Sequence, residues 1–189
     1  MNLPNKLTVI RMLLCPVLMF FLVLDIPHSY LISVIIFIGA SLTDLFDGKI
    51  ARRDNLITNF GKFLDPLADK MLVNAAFVGF MANGILGCGP WLLFIVLTRE
   101  FLISSLRLVA AGNGNIIAAG KLGKLKTITQ MTAIIAVMVF EEAKFFLPDF
   151  LDIYLDWTGC VLLWISTVMA VISGIEYLYV NRKFIDHKK

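Results

Sequence analysis

Four aspartates stand in two close pairs in an otherwise apolar chain: Asp44, Asp47, Asp65 and Asp69. The first two lie three residues apart and the last two lie four apart, so each pair shares one face if it lies in a helix. Placing a carboxylate at membrane depth costs free energy, so a carboxylate found there usually has a function. Four of them without a nearby histidine or cysteine suit a hard divalent cation such as Mg²⁺ or Mn²⁺, with room for two ions that also bind phosphate oxygens. A helix cap or surface charge explains one such aspartate but fits four at this spacing poorly. The pattern therefore predicts metal-assisted chemistry on a phosphate.

Two helix ends are expected to bring the aspartate pairs together. The first pair closes the apolar run 30–45, which we interpret as a helix. Pro66 is tolerated in the first turn of a helix, which places the second pair at the start of the next one. A short polar loop would join the two ends. Gly48 and Ala51 remove side-chain bulk from the same surface, so a ligand can approach the backbone there.

The motif D-x2-D-G-x2-A-R-x8-G-x3-D-x3-D, which runs from Asp44 to Asp69, resembles the signature of the CDP-alcohol phosphatidyltransferase family. Every fixed position of that signature is matched. Weaker similarities lie at residues 4–11, 98–107 and 123–130. Together they resemble the branch that makes phosphatidylglycerophosphate and CMP from CDP-diacylglycerol and glycerol 3-phosphate.

The resemblance implies roles for the signature residues. Asp44, Asp47 and Asp65 would be metal ligands that hold the donor pyrophosphate. Asp69 would be a metal neighbour and the catalytic base that takes the proton of the acceptor hydroxyl. Whether it moves that proton or only holds a metal stays open. The residues implied to bind CDP-diacylglycerol are Thr8, Gly48, Ala51, Arg52 and Gly61. The resemblance also implies a homodimer.

An anionic acceptor that approaches four carboxylates needs cations of its own. Arg99 and Arg107 lie within or at the end of an apolar segment, where a cation usually pairs with a carboxylate or a bound anion. Glu100 is an alternative partner for Arg99. Lys124 and Lys126 begin a predicted fifth helix, where backbone N–H groups favour an anion. We expect these four basic residues to bind the acceptor phosphate.

Composition places the chain in lipid. Its 189 residues are 59% hydrophobic and 16% charged, and its mean hydropathy is +0.84. These values predict one all-α integral membrane domain over residues 1–189, with the lipid bilayer as its surroundings. Several apolar segments are shorter than the ~20 residues of a spanning helix. They reach that length once the polar residues at their ends are counted into the helices, as residues 44–52 would extend the second and 65–70 the third. The six predicted transmembrane helices are built on the segments 7–24, 30–45, 71–81, 91–111, 128–140 and 157–180.

Charge distribution predicts the orientation in the cell membrane. With six spans, lysine and arginine collect on the side that holds both termini and the aspartates. The loops on the opposite side contain Lys144 as their single basic residue, together with several acidic residues. The positive-inside rule therefore puts both termini and a polar active-site cavity on the cytoplasmic side. Contact with anionic lipid headgroups is enough to explain the net charge of +3. We therefore expect no nucleic-acid partner. Cys88, in the loop after the third helix, is expected to be open to a thiol reagent from outside.

Other functions remain open on the sequence alone. The same aspartates would serve inositol phosphate, serine or a second phospholipid as acceptor. An intramembrane prenyltransferase also uses aspartate pairs, but on helices far apart in sequence. An ion-coupled carrier could use buried carboxylates as cation sites, although such carriers tend to have inverted repeats, which this chain lacks.

Overall fold

The computed structural model describes residues 2–53, 59–112 and 120–182, and only the backbone at 45–53, 59, 60, 62 and 63. Over these residues the chain is helical and has no strands, which confirms the predicted all-α class. The elements are α1 (Leu3–Val23), α2 (Ser29–Arg53), α3 (Asn59–Ala82), α4 (Pro90–Gly112), α5 (Lys121–Ala143), a 3₁₀ turn (Asp149–Leu151) and α6 (Asp152–Val180).

The core is built around α1, which packs against both α2 and α3, and α5 adds to it and joins α2 to α6. Leu18, Phe37, Phe77 and Ile134 are fully buried in it. A methyl group at Gly79 of α3 would come within 2.7 Å of a Leu22 carbon. The absence of a side chain there lets α1 and α3 approach closely. The fourth helix packs mainly against α6.

Large apolar side chains cover the outside of the bundle. Leu13, Ile35, Phe94, Leu108 and Ile175 are each more than 60% exposed. A surface of this kind needs lipid rather than water around it. Among the described residues, three helical segments are both long and apolar enough to cross a membrane: Leu3–Val23, Lys121–Ala143 and Asp149–Val180.

Of the two helices that carry the aspartates, the third of the bundle is longer than predicted. We expected residues 44–52 to extend the second helix, and α2 continues to Arg53. We expected Pro66 in a first turn, but α3 begins at Asn59 and the proline is internal. The prediction for Pro66 is wrong because apolar periodicity reports how much of a helix is buried, not where its backbone begins. A proline inside a helix removes one hydrogen bond and does not forbid the turn before it.

A tight connection joins α3 to α4. Gly84 and Gly87 adopt positive φ angles of 67° and 82°, which glycine accepts without strain. Cys88 is 3% exposed, and its thiol donates a hydrogen bond of 3.4 Å to the carbonyl of Phe77. Burial raises the pKa of this thiol to about 12. The expectation that a reagent would reach Cys88 is therefore wrong, because the loop packs its cysteine inward.

Candidate active site

The first helix supplies partners for the aspartates of α2 and α3. Thr8 and Arg11 lie three residues apart on α1 and are both buried. The Thr8 hydroxyl donates a hydrogen bond of 2.8 Å to Asp65. Arg11 donates one of 2.6 Å to Asp44. One face of α1 thus fixes two carboxylates that stand on different helices.

Arg11 is 1% exposed, which is rare for an arginine. Besides Asp44, its guanidinium reaches the carbonyl of Ala40 at 3.3 Å and the hydroxyl of Thr43 at 3.4 Å. These three acceptors belong to one turn of α2. The arginine therefore orients Asp44 and ties α1 to α2 immediately before the aspartate motif.

Asp69 faces open space rather than the core. Asp44 and Asp69 stand on neighbouring helices, α2 and α3, and the Asp44 side chain is 44% exposed. Like charges at short range favour a bound cation, and oxygen-only donors suit Mg²⁺ or Mn²⁺. Among the described side chains no group of three or more such ligands is assembled. Four predicted site residues lie where the structure describes only the backbone: the metal ligand Asp47 and the donor-binding residues Gly48, Ala51 and Arg52.

A buried ion-pair group stands beside Asp69, on α4 and α5. The Lys126 ammonium contacts the Glu100 carboxylate, and Arg99 contacts the same carboxylate at 3.2 Å. The charges of Glu100 and Lys126 both act on Asp69. The structure therefore joins two predicted acceptor-binding cations through one carboxylate, that of Glu100.

Two more cations complete this region. Lys70, next to Asp69 on α3, donates a hydrogen bond to Ser104 of α4, and the charges of Glu100 and Arg107 act on it. Arg107 donates a hydrogen bond of 3.0 Å to the hydroxyl of Tyr177, and its guanidinium lies 5.2 Å from the centre of that ring. Arg107 is thereby held between α4 and α6.

The other residues predicted to bind substrates, Lys124 and Gly61, have different surroundings. Lys124 is exposed, and among the described residues its side chain makes no hydrogen bond or ion pair. Gly61 is buried near the start of α3. Sequence reasoning missed Lys70 and did not assign a role to Arg11. The signals were present, because one cation follows an aspartate directly and the other interrupts an apolar segment.

The other end of the bundle carries a separate polar group. A cavity of about 610 Å³ opens there between the α1–α2 connection and the ends of α3 and α5. His28 contacts Glu142 at 2.5 Å. Lys144 pairs with Glu141 and Asp156. Burial alone would lower the pKa of Lys144, but its hydrogen bonds to these two carboxylates outweigh burial and raise the pKa.

Comparison with known proteins identifies the family. The model of the CDP-alcohol phosphatidyltransferase family matches residues 1–172, which include the whole aspartate motif and the basic residues around it. The chain belongs to this family. Two of the signature aspartates, Asp65 and Asp44, are thus those that α1 orients through Thr8 and Arg11.

Relatives within the phosphatidyltransferase family cover almost the whole chain. A Bacillus subtilis (strain 168) protein named CDP-diacylglycerol–glycerol-3-phosphate 3-phosphatidyltransferase is 39% identical over 95% of both chains. A Rickettsia bellii (strain RML369-C) protein of the same name is 36% identical over 97% of both. A protein of Oryza sativa subsp. japonica named cardiolipin synthase (CMP-forming) is 34% identical over 94% of this chain and 56% of its own.

Proposed function

We propose that the protein transfers the phosphatidyl group of CDP-diacylglycerol to glycerol 3-phosphate, which gives phosphatidylglycerophosphate and CMP. Family membership supports the transferase reaction, and the names of the bacterial relatives support this donor and acceptor. The whole chain would act as one domain. The observation that carries the acceptor is the group of cations beside Asp69, because an acceptor with a terminal phosphate needs such a group and serine does not.

The donor would lie over the aspartates. Asp44, Asp47, Asp65 and Asp69 would hold one or two Mg²⁺ or Mn²⁺ ions, which would neutralise charge on the donor pyrophosphate. The residues that would contact the CDP part are Gly48, Ala51 and Arg52, with Thr8 and Gly61 nearby. Thr8 would act through Asp65, whose orientation it fixes.

Asp69 would move the proton. In the proposed reaction the acceptor hydroxyl attacks the phosphorus that carries diacylglycerol, and the bond from that phosphorus to CMP breaks. The Asp69 carboxylate accepts the hydroxyl proton as the new bond forms. Its exposure supports this role, because a base must reach a substrate group directly.

The acceptor phosphate would lie among Lys70, Arg99, Arg107 and Lys126, with Lys124 at the entrance. A lysine ammonium has three donors, so Lys126 can bind Glu100 and a phosphate oxygen together. The phosphate would be anchored on α4 and α5 while its hydroxyl end points to Asp69.

The protein would cross the cell membrane six times as a homodimer, with both termini and this site on the cytoplasmic side. The distribution of lysine and arginine supports that orientation. Glycerol 3-phosphate is a charged, water-soluble metabolite, so an aqueous opening on that side would give it access.

One assay tests both substrates. Purified protein with CDP-diacylglycerol is supplied in parallel with glycerol 3-phosphate, inositol phosphate, serine and phosphatidylglycerol, and CMP release and lipid product are measured. We expect product from glycerol 3-phosphate. Product from another acceptor alone would refute the assignment within the family, and no CMP from any acceptor would refute the transferase reaction. The phosphatidylglycerol arm matters because of the similarity to the rice protein.

The metal is tested on the same preparation. We expect EDTA to abolish product formation and Mg²⁺ or Mn²⁺ to restore it. Asp65→Asn keeps the size of the side chain but removes a charged ligand, so it should lower the rate by orders of magnitude. Full turnover in EDTA would exclude the metal-dependent reaction.

A further inference from the structure

The two arginines of α4 that are proposed to bind the acceptor are held differently. The Nε and one terminal nitrogen of Arg99 donate hydrogen bonds to the Ala170 carbonyl at 3.3 Å and the Ser173 hydroxyl at 2.9 Å, both on α6. Its other terminal nitrogen contacts Glu100 at 3.2 Å. In the part of the chain that the structure describes, Nε is the one nitrogen of Arg107 with a hydrogen-bond partner. Both terminal nitrogens of Arg107 therefore remain for an anion.

The partner of that Nε is Tyr177, a residue of α6 that the sequence motifs do not include. Tyr177 is 7% exposed, and its hydroxyl accepts the hydrogen bond of 3.0 Å from Arg107. The guanidinium also lies 5.2 Å from the centre of the tyrosine ring, within the range of cation–π attraction. The ring packs with Ile103 and Leu106 of α4. One buried side chain thus holds an exposed arginine by two contacts.

Arg107 lies on the face of α4 that borders α3 next to Asp69. It follows Ser104 by three residues, so the two side chains share a helix face. Ser104 accepts a hydrogen bond from Lys70, the residue directly after Asp69. The free end of the Arg107 guanidinium is therefore on the side of α4 where the acceptor is proposed to bind.

The way in which this guanidinium is held suits an anion. A guanidinium is a planar fork with five N–H donors. When Nε is engaged, the end with the two terminal nitrogens stays free, and it can bind two oxygens of one phosphate. A free arginine side chain samples many rotamers, and ordering it on binding costs free energy. A contact that fixes the fork beforehand removes that cost.

We propose that Tyr177 is a positioning residue that aims the terminal nitrogens of Arg107 at the anionic group of the acceptor, which is the phosphate of glycerol 3-phosphate. This inference rests on the proposed function, since that function gives Arg107 its role. Tyr177 acts through the arginine. Its loss should therefore weaken acceptor binding and leave donor binding and the chemical step unchanged.

The test compares Tyr177→Phe, Arg107→Met and the double variant of the full-length protein. Tyr177→Phe keeps the ring and removes the hydroxyl, so the acceptor KM should rise about three- to tenfold while kcat and the KM for CDP-diacylglycerol stay unchanged. The inhibition constant of inorganic phosphate, competing with the acceptor, should rise by the same factor. Arg107→Met should raise the acceptor KM further. Adding Tyr177→Phe to Arg107→Met should then change this KM by less than about twofold.

Three results would overturn the proposal. One is a wild-type acceptor KM in Tyr177→Phe. Another is an equal effect of Tyr177→Phe with and without the Arg107 guanidinium, because the tyrosine would then act independently of it. The third is a wild-type acceptor KM in Arg107→Lys, which keeps the positive charge and Tyr177 but has no planar fork to orient. This last variant decides the matter even if Tyr177→Phe fails to fold.

Controls separate this test from general effects on α6 and from the proposed function. Tyr179 lies two residues further along the same helix, and the Arg182 guanidinium lies 4.9 Å from the centre of its ring. Tyr179→Phe is the matched control and should leave the acceptor KM unchanged. Each KM is measured with whichever acceptor the wild type uses, since every acceptor in the assay carries a phosphate or a carboxylate. Failure of glycerol 3-phosphate would therefore refute the proposed function and leave the Tyr177 comparison intact.

Discussion

Removal of the Arg11 guanidinium should cost the fold about 3 kcal/mol. Breaking a buried ion pair by deleting one partner costs about 3–5 kcal/mol. The low end applies here, because the Asp44 side chain is 44% exposed and water can solvate it once the arginine is gone. The bonds to Ala40 and Thr43 are long, at 3.3 and 3.4 Å, and add less.

A double-mutant cycle measures this pair. The free energy of unfolding of Arg11→Met, Asp44→Asn and the double variant is measured by circular dichroism in mixed detergent and SDS. We expect a coupling energy of about 1.5–3 kcal/mol between the two residues. Arg182→Met, which removes an exposed arginine, is the matched control and should change stability by less than about 0.5 kcal/mol. Additive effects of the two variants would refute the reasoning.

Three further outcomes are expected. Asp69→Asn should lower kcat by roughly 10²- to 10⁴-fold with CDP-diacylglycerol affinity retained; a parallel loss of affinity, measured by donor binding, would make it a metal ligand instead. In a chain whose native cysteines are replaced by alanine, a membrane-impermeant thiol reagent added to intact cells should label Leu86→Cys and not Lys121→Cys, and the reverse pattern would invert the orientation. Because the pKa of Lys144 is raised in the folded state, its stabilisation relative to Lys144→Met should be complete at pH 8 and decline as pH rises above about 10.4; a constant difference in unfolding free energy up to pH 12 would contradict it.

The candidate site could be predicted from the sequence where spacing alone decides which residues meet. Two aspartates three or four apart share a helix face whatever the helix packs against. The partners Thr8 and Arg11 could not be assigned to particular aspartates, because that depends on how α1 packs against α2 and α3. The same holds for Lys70 and Ser104, which meet only because α3 lies beside α4.

Fold prediction failed at one helix start and in one loop. Six helices follow from six apolar runs once the polar residues at their ends are included, but α3 begins at Asn59, well before the expected first turn at Pro66. Cys88 looked exposed because it lies between two helices. Its burial depends on a tight turn with Gly87, where a side chain would come within 2.5 Å of the Cys160 sulfur.

The contact between Arg99 and α6 has a consequence for how the protein is made. Its partners Ala170 and Ser173 follow it by 71 and 74 residues. While the ribosome is still synthesising that stretch, α4 already carries an arginine whose α6 acceptors do not yet exist. Glu100 is the neighbour within reach in that interval, because it is adjacent in sequence. In a chain that stops before Ala170, we expect the Arg99 guanidinium to lack its hydrogen-bond acceptors on α6. Membrane proteases could use this difference to recognise an unfinished polypeptide.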